Sequence, residues 1–315
     1  MNFSDFNGKS VLITGATGYL GSWLTEALVE NGAQCCALSG PSGQAGWLTP
    51  IMNRIELVSV DLSKASISEL KSLIGGHFDY IFHMAAAGVD QTSANPERLV
   101  EVNVNGTINL LNYAHGVDVK SIIVTGSGFE YPPGACIKED IPPAPQALYA
   151  LCKAASSMLS ISYNRLWDMP ISVLRPFVVY GPREADHRLI TQLCESIIQS
   201  RPIEMGSGKP LRDWVFVKDV IRAHLLAALT PKAVGQIINI SSGTAVSVRQ
   251  VAELFVDIIG GDTSLLQFNV RSDRPNEIWS QTGCTQKARD LLGWEATTTL
   301  KKGLLMTFEW YKSYA

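Results

Sequence analysis

Tyr149 and Lys153 stand four residues apart in a stretch with helical periodicity, Leu148–Leu166, so both side chains fall on one helical face. A free phenol, with a pKa of about 10, is a poor proton shuttle at neutral pH. An ammonium one turn away favours the phenolate and pulls that value down. Reaching 7 takes about three units, on the order of 4 kcal/mol of differential stabilisation. So tuned, Tyr149 exchanges a proton with a carbonyl or an alcohol as general acid and base. Ser127 follows the apolar run Ser121–Thr125, in Thr125-Gly126-Ser127-Gly128-Phe129-Glu130-Tyr131, where its hydroxyl is placed to hold the same oxygen. Tyr and Lys at this spacing are by themselves most often a surface pair. The elements around them give the pair its meaning.

A glycine turn comes first. Thr14-Gly15-Ala16-Thr17-Gly18-Tyr19-Leu20-Gly21 follows the apolar run Ser10–Thr14 and opens the helical segment Tyr19–Glu30. A strand that turns through glycines into a helix lets backbone N–H groups approach an anion, and the helix N-terminus adds partial positive charge. The spacing is Gly-x-x-Gly-x-x-Gly instead of Gly-x-Gly-x-x-Gly, but the mechanics are those of a dinucleotide seat: Gly15 for the turn, Gly18 for the pyrophosphate, Gly21 for helix packing. An oxidised nicotinamide bound there would add a second positive charge beside Tyr149, and Lys153 could also take the ribose hydroxyls.

The first half alternates strand and helix. Strands are expected at Ser10–Thr14, Gln34–Leu38, Ile55–Val60, Tyr80–His83, Ser121–Thr125 and Ile171–Leu174, and helices at Tyr19–Glu30, Ile67–Ile74, Pro96–His115 and Leu148–Leu166. Such alternation implies an α/β doubly wound (Rossmann) parallel sheet with ligands at the carboxyl ends of its strands. Asp61-Leu62 after the third strand is placed to meet an adenine edge. Ala85, Ala86 and Ala87 after the fourth are small enough for a dinucleotide to lie on backbone. Asn103, in Asn103-Val104-Asn105-Gly106-Thr107, is an odd residue for a helix interior and points to a nearby site. The second strand ends at Ser39 with no Asp or Glu for a ribose 2′-OH, and the serines there suit a 2′-phosphate, which favours NADP(H) over NAD(H).

The chain has 315 residues, enough for one large domain or two unequal ones. Its net charge of −3 and lack of a basic run argue against nucleic acid as partner. No apolar run is long enough to span a bilayer, and Met1–Asp5 has no signal-peptide character. Cys35, Cys36, Cys136, Cys152, Cys194 and Cys284 show no metal or disulfide spacing and read as reduced thiols, so a cytoplasmic protein is expected. The five histidines form no metal-ligand spacing, and no metal is expected.

With the glycine turn, Ser127 and Tyr149/Lys153 in this order, the chain resembles the extended short-chain dehydrogenase/reductases, in particular the NAD(P)-dependent epimerase/dehydratase group acting on nucleotide sugars. The resemblance continues in Leu174–Pro182, in Arg212–Val220 and in Arg274-Pro275-Asn276-Glu277 with Leu292-Gly293-Trp294. It implies a dinucleotide-binding domain over residues 1–180, with contributions from later segments, and a smaller substrate domain over 181–315. It also implies Pro176 at the cofactor, Phe177, Val178, Arg183, Arg212 and Arg274 at the substrate nucleotide and sugar, and a homodimer through Pro96–His115 and Leu148–Leu166.

Three departures shape the expected reaction. Gly128-Phe129 replaces the acid pair of the group's dehydratases, so water elimination is not expected. Val178 stands where many members carry Asn, and the second-strand acid is missing. The leading expectation is a 4-ketoreductase of a nucleotide-diphospho-(deoxy)sugar. The alternatives are a 4-epimerase that keeps NAD bound, a reductase of a non-sugar carbonyl, and a non-catalytic NAD(P)-binding regulator, which the presence of both Tyr149 and Lys153 disfavours.

Overall fold

The computed structural model describes residues 3–88, 95–274 and 276–314. The strands in chain order are β1 (Ser10–Thr14), β2 (Gln34–Ser39), β3 (Ile55–Ser59), β4 (Tyr80–His83), β5 (Ser121–Thr125), β6 (Gly134–Ile137), β7 (Ile171–Pro176), β8 (Val178–Tyr180), β9 (Ile203–Glu204), β10 (Leu211–Phe216), β11 (Ile237–Ile240), β12 (Ala245–Ser247), β13 (Leu266–Gln267) and β14 (Ser280–Gly283). The α-helices are α1 (Tyr19–Glu30), α2 (Ile67–Ile74), α3 (Pro96–Val100), α4 (Gly106–Ala114), α5 (Leu148–Trp167), α6 (Leu189–Ile198), α7 (Val217–Leu229), α8 (Val248–Ile259), α9 (Gln286–Leu292) and α10 (Leu300–Tyr314).

Seven strands form a parallel sheet in the order β11-β7-β5-β4-β1-β2-β3. The chain winds outward from β1 through β2 and β3, then returns to lay β4 on its other side. The crevice at this reversal is where such sheets take their ligands. Both faces of β1 are covered, which is why its sequence is an uninterrupted apolar run. Val11 and Ile13 pack with Leu24 and Leu28 of α1 and Ile221 and Leu225 of α7. Leu12, pointing the other way, packs with Leu70 of α2, Leu110 of α4 and Ile161 of α5.

A second sheet, β12-β10-β14-β6 with β8 on β10, carries a core of Ile190, Leu193, Phe255 and Leu304 from α6, α8 and α10. Position 180 is crossed in both directions: β11 joins the first sheet and β6 the second. The helix expected at Pro96–His115 is not continuous. A π-helical turn at Glu101–Asn105 separates α3 from α4, and it sets the Asn103 side chain on the β4 loop. Among the described residues no helix is long and apolar enough to cross a membrane.

Candidate active site

The loop from β1 to α1 is built for close approach. Gly15 has φ +63°, and a Cβ there would fall 2.6 Å from the Ala85 Cα. A Cβ on Gly21 would fall 2.0 Å from the Gly15 carbonyl oxygen. Gly18 caps α1 without any side-chain hydrogen bond, so the first N–H groups of the helix carry no side-chain cap. A nicotinamide dinucleotide fits this seat: side chains are absent where a pyrophosphate would rest, and helix donors point at it.

The opposite wall is fixed by a chain of buried polar groups. Thr14 Oγ1 accepts from Ala85 N at 3.3 Å and shares a 2.7 Å hydrogen bond with His83 Nδ1. His83 Nε2 is 2.9 Å from Thr107 Oγ1, which is in turn 2.9 Å from Ser156 Oγ on α5. Burial pushes the His83 imidazole down to about 3, the Lys153 ammonium adding to the effect, so it stays neutral. Asn103 accepts from Ala87 N and donates to Ala87 O, both at 3.1 Å. Asn103, expected at the cofactor, thus holds the backbone of the loop after β4.

Ser127 closes on a residue that the sequence pattern did not single out and whose charge also acts on Tyr149 and Lys153. Glu130 is fully buried. Its Oε1 accepts from Ser127 N at 2.7 Å and Ser157 Oγ at 2.9 Å, and its Oε2 accepts from Arg175 Nε at 2.7 Å. The Ser127 hydroxyl accepts from Phe129 N at 3.2 Å, so the turn after β5 is capped from both ends. Gln281 of β14 donates to Gly128 O at 3.0 Å. The only signal for Glu130 was an acidic residue three positions after the serine, the second half of a capping box.

The electrostatics correct one expectation. Removal from water pushes the Tyr149 phenol up to about 12; the Glu130 carboxylate adds to the rise and Arg188 opposes it. Burial pushes the Lys153 ammonium down to about 8, with Glu130 pulling the other way. In the chain alone desolvation therefore dominates, the lowering charge on the phenol is that of Arg188 and not of Lys153, and the phenol is not near 7. The lowering has to come with the positive ring of an oxidised nicotinamide.

The NAD dependent epimerase/dehydratase family model matches residues 11–241. The chain belongs to that family. It is an NAD(P)-dependent enzyme of the extended short-chain dehydrogenase/reductase type on a Rossmann fold, and its relatives include UDP-sugar epimerases. It is 29% identical over 313 residues to the UDP-glucose 4-epimerase of Mycolicibacterium smegmatis, covering 96% of this chain and 98% of that protein. The structure of epimerase Mth375 from Methanothermobacter thermautotrophicus superposes with a TM-score of 0.89 at 29% identity, covering 98% of this chain and 94% of that one. UDP-glucuronic acid 4-epimerase from Bacillus cereus, solved with UDP-glucuronic acid and NAD, gives a TM-score of 0.86 at 25% identity, covering 97% and 99%.

Within this epimerase/dehydratase frame the remaining expected contacts divide. Arg212 donates to the Ile278 carbonyl and pairs with Glu277, and the charges of Arg274 and Arg188 reach it. These three guanidiniums make a basic region; Arg188, held 2.9 Å from Glu184 Oε1, was missed because no motif marks it. Pro275, between Arg274 and Asn276, lies outside the described residues. Arg183 does not join them. It pairs with Glu26 of α1 at 2.8 Å and stacks on Trp23 at 4.1 Å.

Phe177 and Val178, expected at the substrate, are buried instead. The Phe177 ring packs with Tyr131 and Ile137 and supports Gly128, where a Cβ would meet the ring at 3.0 Å. Val178 pairs with Trp214 and packs in the C-terminal core. Ser39 is buried, its hydroxyl 3.4 Å from the Val58 carbonyl, which weakens its claim on a 2′-phosphate. Asp61 already accepts from Ser63 and from Arg98 Nη1 at 3.1 Å. Leu62 edges the core beside Val60, and Pro176 closes β7 at the carboxyl side. Thr17 lies in the turn before α1 and Tyr19 and Leu20 begin the helix, with the Tyr19 hydroxyl buried without a hydrogen-bond partner among the described residues and facing the charges of Glu184 and Arg188.

Proposed function

We propose that this enzyme is a 4-epimerase of a UDP-linked hexose or hexuronate and keeps NAD bound through the cycle. The observation that carries the reading is the buried Glu130, bonded to the Ser127 backbone and acting by its charge on Tyr149 and Lys153, beside an uncapped glycine cradle. The ketoreductase expectation uses the same residues. The full-length likeness to proteins named as 4-epimerases supports the epimerase over it.

The bound dinucleotide supplies the oxidant and reductant for C4. The chain does the rest. Ser127 Oγ and the Tyr149 phenol bracket the C4 oxygen; Tyr149 takes the hydroxyl proton as C4 is oxidised and returns it when C4 is reduced on its other face. The Lys153 charge supports the phenolate and its ammonium holds the nicotinamide ribose. Arg188, Arg212 and Arg274 meet the substrate pyrophosphate, for which guanidinium forks are suited. Gly128 and Phe129 leave no acid–base pair for dehydration. The buried Ser39 hydroxyl and the lack of Lys or Arg in residues 34–53 support NAD over the NADP expected above, as does the NAD in the Bacillus cereus structure.

A homodimer is part of the proposal. Leu151, Met158 and Leu166 of α5 are 53%, 58% and 70% exposed at helical spacing, with Trp167 beside them, an apolar stripe that a second copy would cover. Light scattering that finds a monomer would remove this part alone.

The reaction is tested with purified enzyme, no added cofactor, and UDP-glucose or UDP-glucuronic acid. The expected result is the C4 epimer by NMR and NAD released on acid denaturation. Tyr149→Phe is expected to lose the epimer and retain the NAD. Stoichiometric oxidation of added NADPH with a single reduced product would establish the ketoreductase instead.

A further inference from the structure

β6 and β14 are parallel neighbours whose register slips. Gln281 is opposite Gly134, but Gly283 is opposite Ile137, so β6 carries one extra residue between the two pairings. A bulge of this kind re-aims the side chains on its strand. The residue in the bulge is Cys136, with φ +48°, a left-handed backbone that a non-glycine residue adopts only under local constraint. Two hydrogen bonds hold it there: Cys136 N donates to Thr282 Oγ1 at 3.0 Å, and Cys284 N donates to the Ile137 carbonyl at 2.9 Å. These two bonds set Cys136 and Cys284 as neighbours across the two strands, and the Cys284 thiol pushes the Cys136 thiol above its ordinary range.

The other four cysteines offer no such pair. Cys35, Cys36, Cys152 and Cys194 are buried, and Cys35 and Cys36, consecutive in β2, point to opposite faces of the sheet. Cys136 alone is exposed, and Cys284 is half-buried beside it. The pair thus combines access from solvent with strand-neighbour spacing, the two conditions for exchange and closure.

We propose that Cys136 and Cys284 are a redox-modification site, closed to an intramolecular disulfide by exchange with a low-molecular-weight disulfide. One cysteine thiolate attacks a sulfur of the small disulfide, forming a mixed disulfide and expelling one small thiolate. The second cysteine thiolate attacks the protein-side sulfur, forms the Cys136–Cys284 bond and expels the other. Each cysteine sulfur gives up one electron, the small disulfide takes both, and the two thiol protons leave with the released thiolates.

The bond would join the strand before the Tyr149 loop to the strand whose Gln281 holds Gly128 and Tyr131. It would also close a long loop containing α5 and most of the C-terminal lobe, which restricts the unfolded chain and raises the melting temperature.

The test treats the folded full chain with oxidised glutathione, then measures intact mass, peptide maps and Tm. The expected wild-type result is loss of two hydrogens, a peptide joining residues 136 and 284, and a higher Tm that dithiothreitol reverses. Cys136→Ser is expected to stop at a glutathione adduct on Cys284 or to remain unmodified, with no rise in Tm; Cys284→Ser is expected to stop at an adduct on Cys136. A wild-type chain that accumulates a stable glutathione adduct, or keeps both thiols free while the reagent oxidises an unrelated dithiol control, would overturn the proposal.

Discussion

Arg175 and Glu130 form an ion pair of 2.7 Å in which the two side chains are 1% and 0% exposed. It sits directly under Ser127, whose backbone N–H donates to the other oxygen of the same carboxylate, as does Ser157 Oγ. The Arg175 guanidinium also lies 4.4 Å over the Tyr131 ring. Burial pushes the Glu130 carboxyl up, with Arg175 the main opposing influence. Such a pair adds little net stability over an apolar isostere, but breaking it leaves a buried charge alone. Glu130→Ala is therefore expected to lower unfolding free energy by about 3–5 kcal/mol. Glu130→Leu with Arg175→Met is expected to recover part of that loss, read as the urea midpoints of the three variants. A single variant that unfolds like wild type would mean the carboxylate is not holding the Ser127 turn.

Gly21→Ala would place a methyl 2.0 Å from the Gly15 carbonyl oxygen, which is backbone and has no rotamer to yield. Overpacking of this kind costs about 1–3 kcal/mol. The expected phenotype is a folded but less stable protein that has lost at least tenfold in dinucleotide affinity, measured by titration calorimetry after the resident cofactor is stripped. Gly260→Ala, at an open helix end with φ +65°, is the control; it should lose some stability and no affinity.

What the sequence disclosed follows from how local the signals are. The β1–α1 turn, the continuous apolar run of β1 and the helical spacing of Tyr149 and Lys153 are each set within a few residues, and all lie where expected. Glu130 was invisible because its importance is made by Arg175, a residue 45 positions away that meets it only when β7 pairs with β5. The burial of Phe177 and Val178 was hidden for a similar reason: Val178 is covered when β8 pairs with β10, and Phe177 when it packs on Tyr131 and Ile137. The break in the Pro96–His115 helix was legible as two asparagines and a glycine, but not as a π-turn, since its geometry answers to Ala87 in the loop after β4. Arg183 shows how a motif can mislead, because its guanidinium serves α1.

The two buried histidines set an acid limit. Burial pushes His83 down to about 3 and His224 to about 4. In the unfolded chain each takes up a proton below about pH 6.5. Between those values the unfolded state binds more protons, so stability falls as pH falls, by on the order of 3–5 kcal/mol for each residue at the acid end. Glu130, Glu184 and Asp213 are pushed up by burial and act in the opposite sense, gaining protons in the fold first. His83→Gln is expected to flatten the fall in unfolding free energy between pH 6.5 and 4.5 by up to about 1.4 kcal/mol per pH unit. A slope equal to wild type would show that His83 is protonated in the fold.

The last expectation concerns how cofactor is retained. Trp47, in the 3-10 segment Gly46–Arg54 after β2, packs edge-on against Trp310 at 5.3 Å and Tyr314 at 6.2 Å, both on α10. The preceding Gly46 lies over the glycine cradle, where a Cβ would come 3.5 Å from the Thr17 carbonyl. Arg183 stacks on Trp23 and lies 5.7 Å from Trp47, so the cradle, this segment and the C-terminal helix are tied in one line. The expectation is that this segment slows the departure of a dinucleotide from the cradle. Aromatic pairs contribute about 0.5–1.5 kcal/mol each beyond their buried area, so losing two should speed release by roughly tenfold. Trp47→Ala is expected to raise the NAD dissociation rate by that factor in a displacement experiment, while Trp279→Ala, an exposed tryptophan outside this cluster, leaves it unchanged. If both variants release NAD at the wild-type rate, the aromatic cluster secures α10 to the fold and has no part in holding the cofactor.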